Sequence, residues 1–132
     1  MPDEDLTAKT EDHATALDAI TTVVSVLEEA RSTINRALGL LFTTGGDTTR
    51  LDRLQARVSQ LITRYNRIVF QIQAAQTVVR PPTPQEIADA NAALQKVREI
   101  TFKDAIRDAG FKALSDMVDR AQTVADGIDV QA

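Results

Sequence analysis

The fold is decided by residues 51–79, which read LDRLQARVSQLITRYNRIVFQIQAAQTVV. Apolar residues recur there in alternating steps of three and four, so they share one face of a helix. This spacing predicts a long helix that packs along its whole length against its neighbours. We call this face the inner seam; its members are Leu51, Leu54, Val58, Leu61, Tyr65, Ile68, Ile72, Ala75 and Val79.

The preceding segment predicts a first helix over about residues 7–42, with apolar residues on two adjoining stripes. Together the stripes cover about half of the helix circumference, more than the roughly 100° of a one-sided helix. Two neighbouring helices, or one neighbour and a second subunit, are needed to cover them. The first stripe is Leu6, His13, Leu17, Ile20, Val24, Leu27, Arg31, Ile34, Leu38 and Leu41. The second is Ala16, Ala19, Val23, Val26, Ala30, Ala37 and Leu40.

Two short segments separate the predicted helices. In the first, Gly45 suits the left-handed conformation that ends a helix, and Asp47 or Thr48 can cap the next one. The second reads RPPTPQE over residues 80–86, where two consecutive prolines stop a helix. Thr83 then suits an N-cap, with a proline at the first helical position and Glu86 completing a capping box. The segments predict helices over about 48–79 and 84–127.

The third predicted helix changes its apolar face along its length. Ile87, Leu94 and Val97 lie on one face, whereas Leu114 and later residues lie nearly opposite. We expect a kink or break near Gly110; the alternative is one continuous helix that is buried all round. The fold class is therefore all-α, an antiparallel up-down bundle of three long helices in a single domain over residues 1–132. The tails 1–5 and 129–132 are expected to fray.

Composition narrows the functional classes. The 132 residues include no cysteine and one histidine, which excludes thiolate chemistry, cysteine metal sites and paired Glu-x-x-His iron sites. We therefore expect no enzyme activity, catalytic residue, metal or cofactor. A net charge of −4 argues against the whole surface binding nucleic acid. The absence of a signal-like or membrane-spanning run favours the cytoplasm, and signal-less export stays open. The residue usage is typical of high-GC bacteria.

Charge is segregated between the predicted helices. Residues 1–43 carry a net charge of −5, residues 47–80 carry +4 and residues 84–132 carry −3. The positive charge of helix two includes a stripe beside the inner seam. Arginine suits phosphate and carboxylate recognition, so the stripe is a candidate site for an anion or nucleic acid. Alternatively it pairs with the acidic flanking helices, and the charge pattern favours this. The stripe is Arg50, Arg53, Arg57, Arg64 and Arg67.

The wide apolar face of helix one is the best candidate for contact with a partner. Arg31 interrupts it and either fixes a partner or register, or extends past its apolar stem to solvent. Phe70 lies outside the inner seam, on a polar side of helix two. We expect a non-enzymatic protein–protein interaction module that binds itself, as a homodimer, or another helical protein. The candidate interaction residues are Val23, Val26, Arg31, Leu40 and Phe70.

Overall fold

The computed structural model describes residues 2–74, 78–128 and 130–131, with side chains for residues 11–74 and 79–128. Within these residues it is all-helical apart from one pair of two-residue strands. The predicted class, all-α, is therefore confirmed. The helices are α1 (Pro2–Thr44), α2 (Thr49–Gln73), α3 (Pro84–Glu99), α4 (Phe102–Ile106) and α5 (Asp108–Gly127), and the strands are β1 (Val78–Val79) and β2 (Val130–Gln131).

Helix α1 is the axis of the fold. Its 43 residues make it about 65 Å long, and it contacts every other helix. Both of its predicted apolar stripes supply the core, since a face this wide can be covered only by several neighbours. Ile20, Val23, Val26, Leu27 and Ile34 are all fully buried.

The α1–α2 connection follows the prediction at its glycine. Gly45 has a φ of 77°, the left-handed conformation that only glycine adopts freely. The Gly46 amide donates to the Leu41 carbonyl at 2.9 Å, which satisfies a free carbonyl at the helix end. The tight connection makes α1 and α2 antiparallel, and Gln55 accordingly donates to Asn35 across them.

Helix α2 ends earlier than the inner seam predicts. The predicted helix over 48–79 begins at Thr49 but stops at Gln73, and residues 75–77, including Ala75, lie outside the described residues. Val79 belongs instead to β1, which pairs antiparallel with β2 near the C-terminus. The heptad spacing therefore extends past the end of α2 at Gln73, because Val78 and Val79 pair with a strand near the C-terminus and do not continue the helix.

The predicted third helix over 84–127, kinked or broken near Gly110, is not confirmed in that form: three helices occupy this range. Ile100 and Arg107 adopt extended backbone conformations that end α3 and α4. Thr101 and Asp104 form a capping box that starts α4. The break therefore precedes Gly110, which lies inside α5. Gly110 still matters, because a Cβ there would overlap the Asp104 carbonyl where α4 packs against α5.

The break reverses the chain. Glu86 in the first turn of α3 lies beside Gly127 at the end of α5, so α3 and α5 are antiparallel. Arg50 contacts Asp108, and Tyr65 contacts Asp126, so α2 and α5 run in the same direction. The four longer helices thus alternate in direction along the chain, and the predicted bundle of only three long helices is not confirmed.

Some of the residues that were expected to fray at the two ends of the chain belong to a helix or a strand. Residues 2–5 belong to α1, and Val130–Gln131 form β2. Residues 1, 129 and 132 lie outside the described residues. Fraying of the tails and the single-domain organisation stay predictions, although the buried apolar residues form one cluster that includes all five helices.

The start of α3 is fixed by the predicted capping box and by an arginine. Thr83 accepts from the Glu86 amide at 3.1 Å, and Glu86 accepts from the Thr83 amide at 2.9 Å. The Arg80 guanidinium donates to both Glu86 oxygens, at 2.8 and 2.7 Å, and to the Gly127 carbonyl. The hydrogen bonds from Arg80 hold the pKa of Glu86 below its ordinary value of 4.5. This cluster joins the ends of β1, α3 and α5.

We expect Gly110→Ala to destabilise the protein by about 1–3 kcal/mol, because its Cβ must displace the backbone at Asp104. The matched control is Gly39→Ala in α1, where the added Cβ meets nothing within 4 Å. That change should stabilise the helix by about 0.5–1 kcal/mol. Urea unfolding of both variants measures the difference. Equal effects would contradict the close α4–α5 contact.

We expect Glu86→Gln to lower stability by about 1 kcal/mol at neutral pH, because it removes the charge that Arg80 binds. A carboxylate with a lowered folded-state pKa stabilises the protein above its unfolded pKa and loses this effect as pH falls through the folded pKa. The difference between wild type and variant should therefore shrink below about pH 4.5. Urea midpoints measured from neutral to acidic pH check this; a constant difference would contradict it.

Candidate interaction surface

The central face of α1 is covered by its own chain. Val23 and Val26 are fully buried, as are Ala16, Ala30 and Ala37 of the same stripe. Helices α2, α3 and α5 all pack on α1. Together they cover the apolar face for which the sequence allowed either a second neighbouring helix or a second subunit. Val23 and Val26 therefore contact the core of their own subunit and do not lie at the surface.

The other candidate contact residues keep some exposure. Arg31 is partly buried and makes no ion pair with any residue that the structure describes, as expected if its head extends to solvent past an apolar stem. Leu40 is half-buried near the end of α1. Phe70 is 70% exposed, and Phe42 at the α1–α2 turn is 87% exposed. These two are the large apolar side chains that stand in solvent within residues 11–74 and 79–128.

Three arginines of the stripe form contacts with α5. Arg50 pairs with Asp108 at 2.7 Å and also lies over the Phe111 ring, 4.6 Å from its centroid. Arg57 pairs with Asp119 at 2.6 Å, and Arg64 lies 3.7 Å from Asp126. The three follow one another at seven-residue intervals, so they face the same neighbouring helix. Internal pairing is thus visible for these three.

Tyr65 adds a buried polar contact between the same helices. Its side chain is fully buried, and its hydroxyl donates to Asp126 Oδ1 at 3.0 Å. Burial raises the pKa of Tyr65, and the nearby Asp126 carboxylate raises it further. The phenol therefore stays protonated and acts as a hydrogen-bond donor. It fixes the register of α2 against α5 from within the core.

The remaining two arginines of the stripe face solvent. Arg53 and Arg67 are exposed and make no ion pair with any described residue. They are 14 residues apart, so about 21 Å of helix separates them. That separation is too large for one small anion to contact both. The structure therefore divides the predicted stripe into an internal set and a solvent-facing pair.

The solvent-facing pair belongs to a second regular face of α2. Its members follow one another in alternating steps of three and four, and all of them are exposed. The sequence reasoning missed this face because only one member is large and apolar. The alternating steps of three and four were the signal in the sequence that could have identified this face. We call it the outer seam; it consists of Arg53, Ala56, Gln60, Thr63, Arg67 and Phe70.

Clefts of about 530, 410 and 320 Å³ occur near the α1–α2 turn and α4. The largest lies between the start of α2 and Ile106, and Arg50 and Arg53 line it. Thr49 hydrogen bonds lower the pKa of Asp47, another lining residue. Among the described residues, no group of three histidines, cysteines or acids could hold a metal ion. Each buried side-chain nitrogen or oxygen there has a hydrogen-bond partner.

Comparison with known proteins gives no match to a family model, a curated protein or a solved structure. None of the described helices is both long and apolar enough to cross a membrane.

We expect Arg57→Ala to cost about 0.5–1 kcal/mol, because it removes a hydrogen-bonded pair between α2 and α5. Arg53→Ala, four residues earlier on the same helix, should change stability by less than about 0.5 kcal/mol. Denaturant unfolding at low protein concentration checks both variants. If Arg53 proved as costly as Arg57, the division of the stripe would be wrong.

Proposed function

We propose that this chain is a non-enzymatic protein–protein interaction module that associates with itself, in its simplest form as a homodimer. The observation that carries the proposal is the exposure of Phe42 and Phe70 on a subunit whose described core is otherwise covered. An exposed aromatic ring contributes to association when a partner buries it, because apolar area is then removed from water.

The contact surface differs from the one that the sequence favoured. Association through Val23 and Val26 would require the bundle to open, and each residue buries an entire side chain. Exposing such a side chain costs about 1.5–3 kcal/mol. The outer face of α2 and the α1–α2 turn need no such opening. We therefore place the contact on one of these two surfaces, either the α2 face with Phe70 or the turn with Leu40 and Phe42, and Arg31 lies outside both.

A binder of anions or nucleic acid is the second candidate. It is supported by the two stripe arginines that lack a partner among the described residues, Arg53 and Arg67. It is weakened because Arg50, Arg57 and Arg64 already pair with carboxylates. A heterologous helical partner would use the same exposed residues as a second copy. Location in the cytoplasm and a bacterial origin stay predictions.

We expect the mass measured by light scattering to rise with concentration, from the 14.4 kDa of one chain towards twice that value. A range from about 1 µM to about 1 mM covers the weak association that small interfaces give. Sedimentation equilibrium on the same samples yields the dissociation constant. A mass of one chain over the entire range would show that the protein does not self-associate.

A further inference from the structure

The outer seam of α2 is exposed at every member, although Arg53 at its start also lines the cleft beside Ile106. It extends from Arg53 to Phe70, about 26 Å along the helix, and all of its side chains are exposed. Alternating steps of three and four are the spacing with which one helix packs lengthwise on another. The inner seam has the same spacing, and its members within α2 are buried by their own chain, Ile68 only partly. The outer seam has the geometry of a packing face and lacks only its partner.

We propose that this partner is α2 of a second copy, packed antiparallel on the outer seam. The proposal rests on the self-association proposed above and assigns the surface and the orientation. In the antiparallel register that aligns the ends of the seam, Arg53 lies opposite Phe70 of the second copy. Gln60 then lies opposite Thr63. Each pair occurs twice, because a two-fold axis makes the same patch serve both subunits.

The paired side chains complement one another. An arginine over an aromatic ring is a favourable cation–π contact, and the chain already contains one between Arg50 and Phe111. A glutamine amide can donate to a threonine hydroxyl in the centre of the seam. Ala56 is small and lies opposite the second copy's Arg67, which leaves room for the long arginine side chain.

Charge also favours the antiparallel orientation. Packed parallel, the two Arg53 side chains would face each other, as would the two Arg67 side chains, and like charges placed opposite are costly. Packed antiparallel, the second copy's Arg67 lies opposite Ala56, about one helical turn from Asp52, which is outside the seam. The Asp52 carboxylate uses one oxygen to accept from the Thr48 hydroxyl at 2.8 Å, and its other oxygen can face the incoming arginine.

The size of the seam predicts a weak and reversible dimer. One helix face of about 26 Å, with small and polar residues at its centre, buries less than the standard interface of about 1,600 Å². An acidic helix from another protein could pair with Arg53 and Arg67. It would lack the arginine and the phenylalanine that a second copy places opposite Phe70 and Arg53. A second copy matches both ends of the seam at once.

The experiment uses single-cysteine variants, which the cysteine-free chain allows. Gln60→Cys and Thr63→Cys proteins, one of them isotope-labelled, are mixed and oxidised above the dissociation constant, and disulfide-linked dimers are weighed by mass spectrometry. We expect the mixed disulfide between positions 60 and 63 to dominate over the two symmetric ones. Ala56→Cys alone should not link, because antiparallel packing separates the two sites by about 16 Å along the helix.

A second readout is the dissociation constant itself. Phe70→Ala should raise it at least about tenfold, because it removes the aromatic partner of Arg53 at both ends of the seam. Phe42→Ala is the matched control, since Phe42 is even more exposed but lies outside the seam; it should leave the constant unchanged. Equal melting temperatures for both variants would show that neither change acts through the fold.

The outcomes separate the two proposals. A single-chain mass at every concentration overturns self-association and, with it, this assignment. Efficient linking of the Ala56→Cys variant, or failure of the mixed disulfide between positions 60 and 63, overturns the antiparallel seam and leaves self-association standing. A dimer weakened by Phe42→Ala but not by Phe70→Ala moves the contact to the α1–α2 turn and also overturns the seam.

Discussion

The structure depends on covering the apolar surface of α1. Its apolar stripes span about half of the helix circumference, which one neighbouring helix cannot cover. The rest of the chain supplies the cover: α2 and α3 pack on α1, and α5 packs on it as well after the chain reverses. The reversal between Glu99 and Asp108 returns the chain to α1, so that α3 and α5 both pack on it.

Electrostatics then fixes how α2 sits in this arrangement. Carboxylates of α5 face Arg50, Arg57 and Arg64 at every second turn, and the Tyr65 hydroxyl bonds to Asp126 within the core. The ion pairs are largely exposed, so each adds little free energy of folding. Their value is in register: sliding α2 along α5 would separate every pair and leave the buried phenol without its acceptor.

Much of the fold could be predicted because its signals are local, as with the left-handed Gly45 and the capping box at Thr83. The break in the third predicted helix was expected near Gly110, whereas α3 already ends before Ile100. The capping box at Thr101 that starts α4 is also a local signal. Gly110 marks the contact that the reversal creates and is not its cause. The candidate site was harder to predict because it is what the fold leaves uncovered. Whether Val23 reaches solvent depends on the later helices that pack on α1, and the end of α2 depends on a strand pairing with residues near the C-terminus.

The arginines of α2 lie on two different sides of one helix. Residues seven apart return to nearly the same side, so Arg50, Arg57 and Arg64 all meet α5. Arg53 and Arg67 are also separated by a multiple of seven, but they lie on the side facing solvent. The paired set stabilises the register within the subunit, and the unpaired set gives the outer seam its charge. A helix with a heptad repeat on both sides, one apolar and one cationic, is suited to hold its own bundle while it presents a second face to another helix.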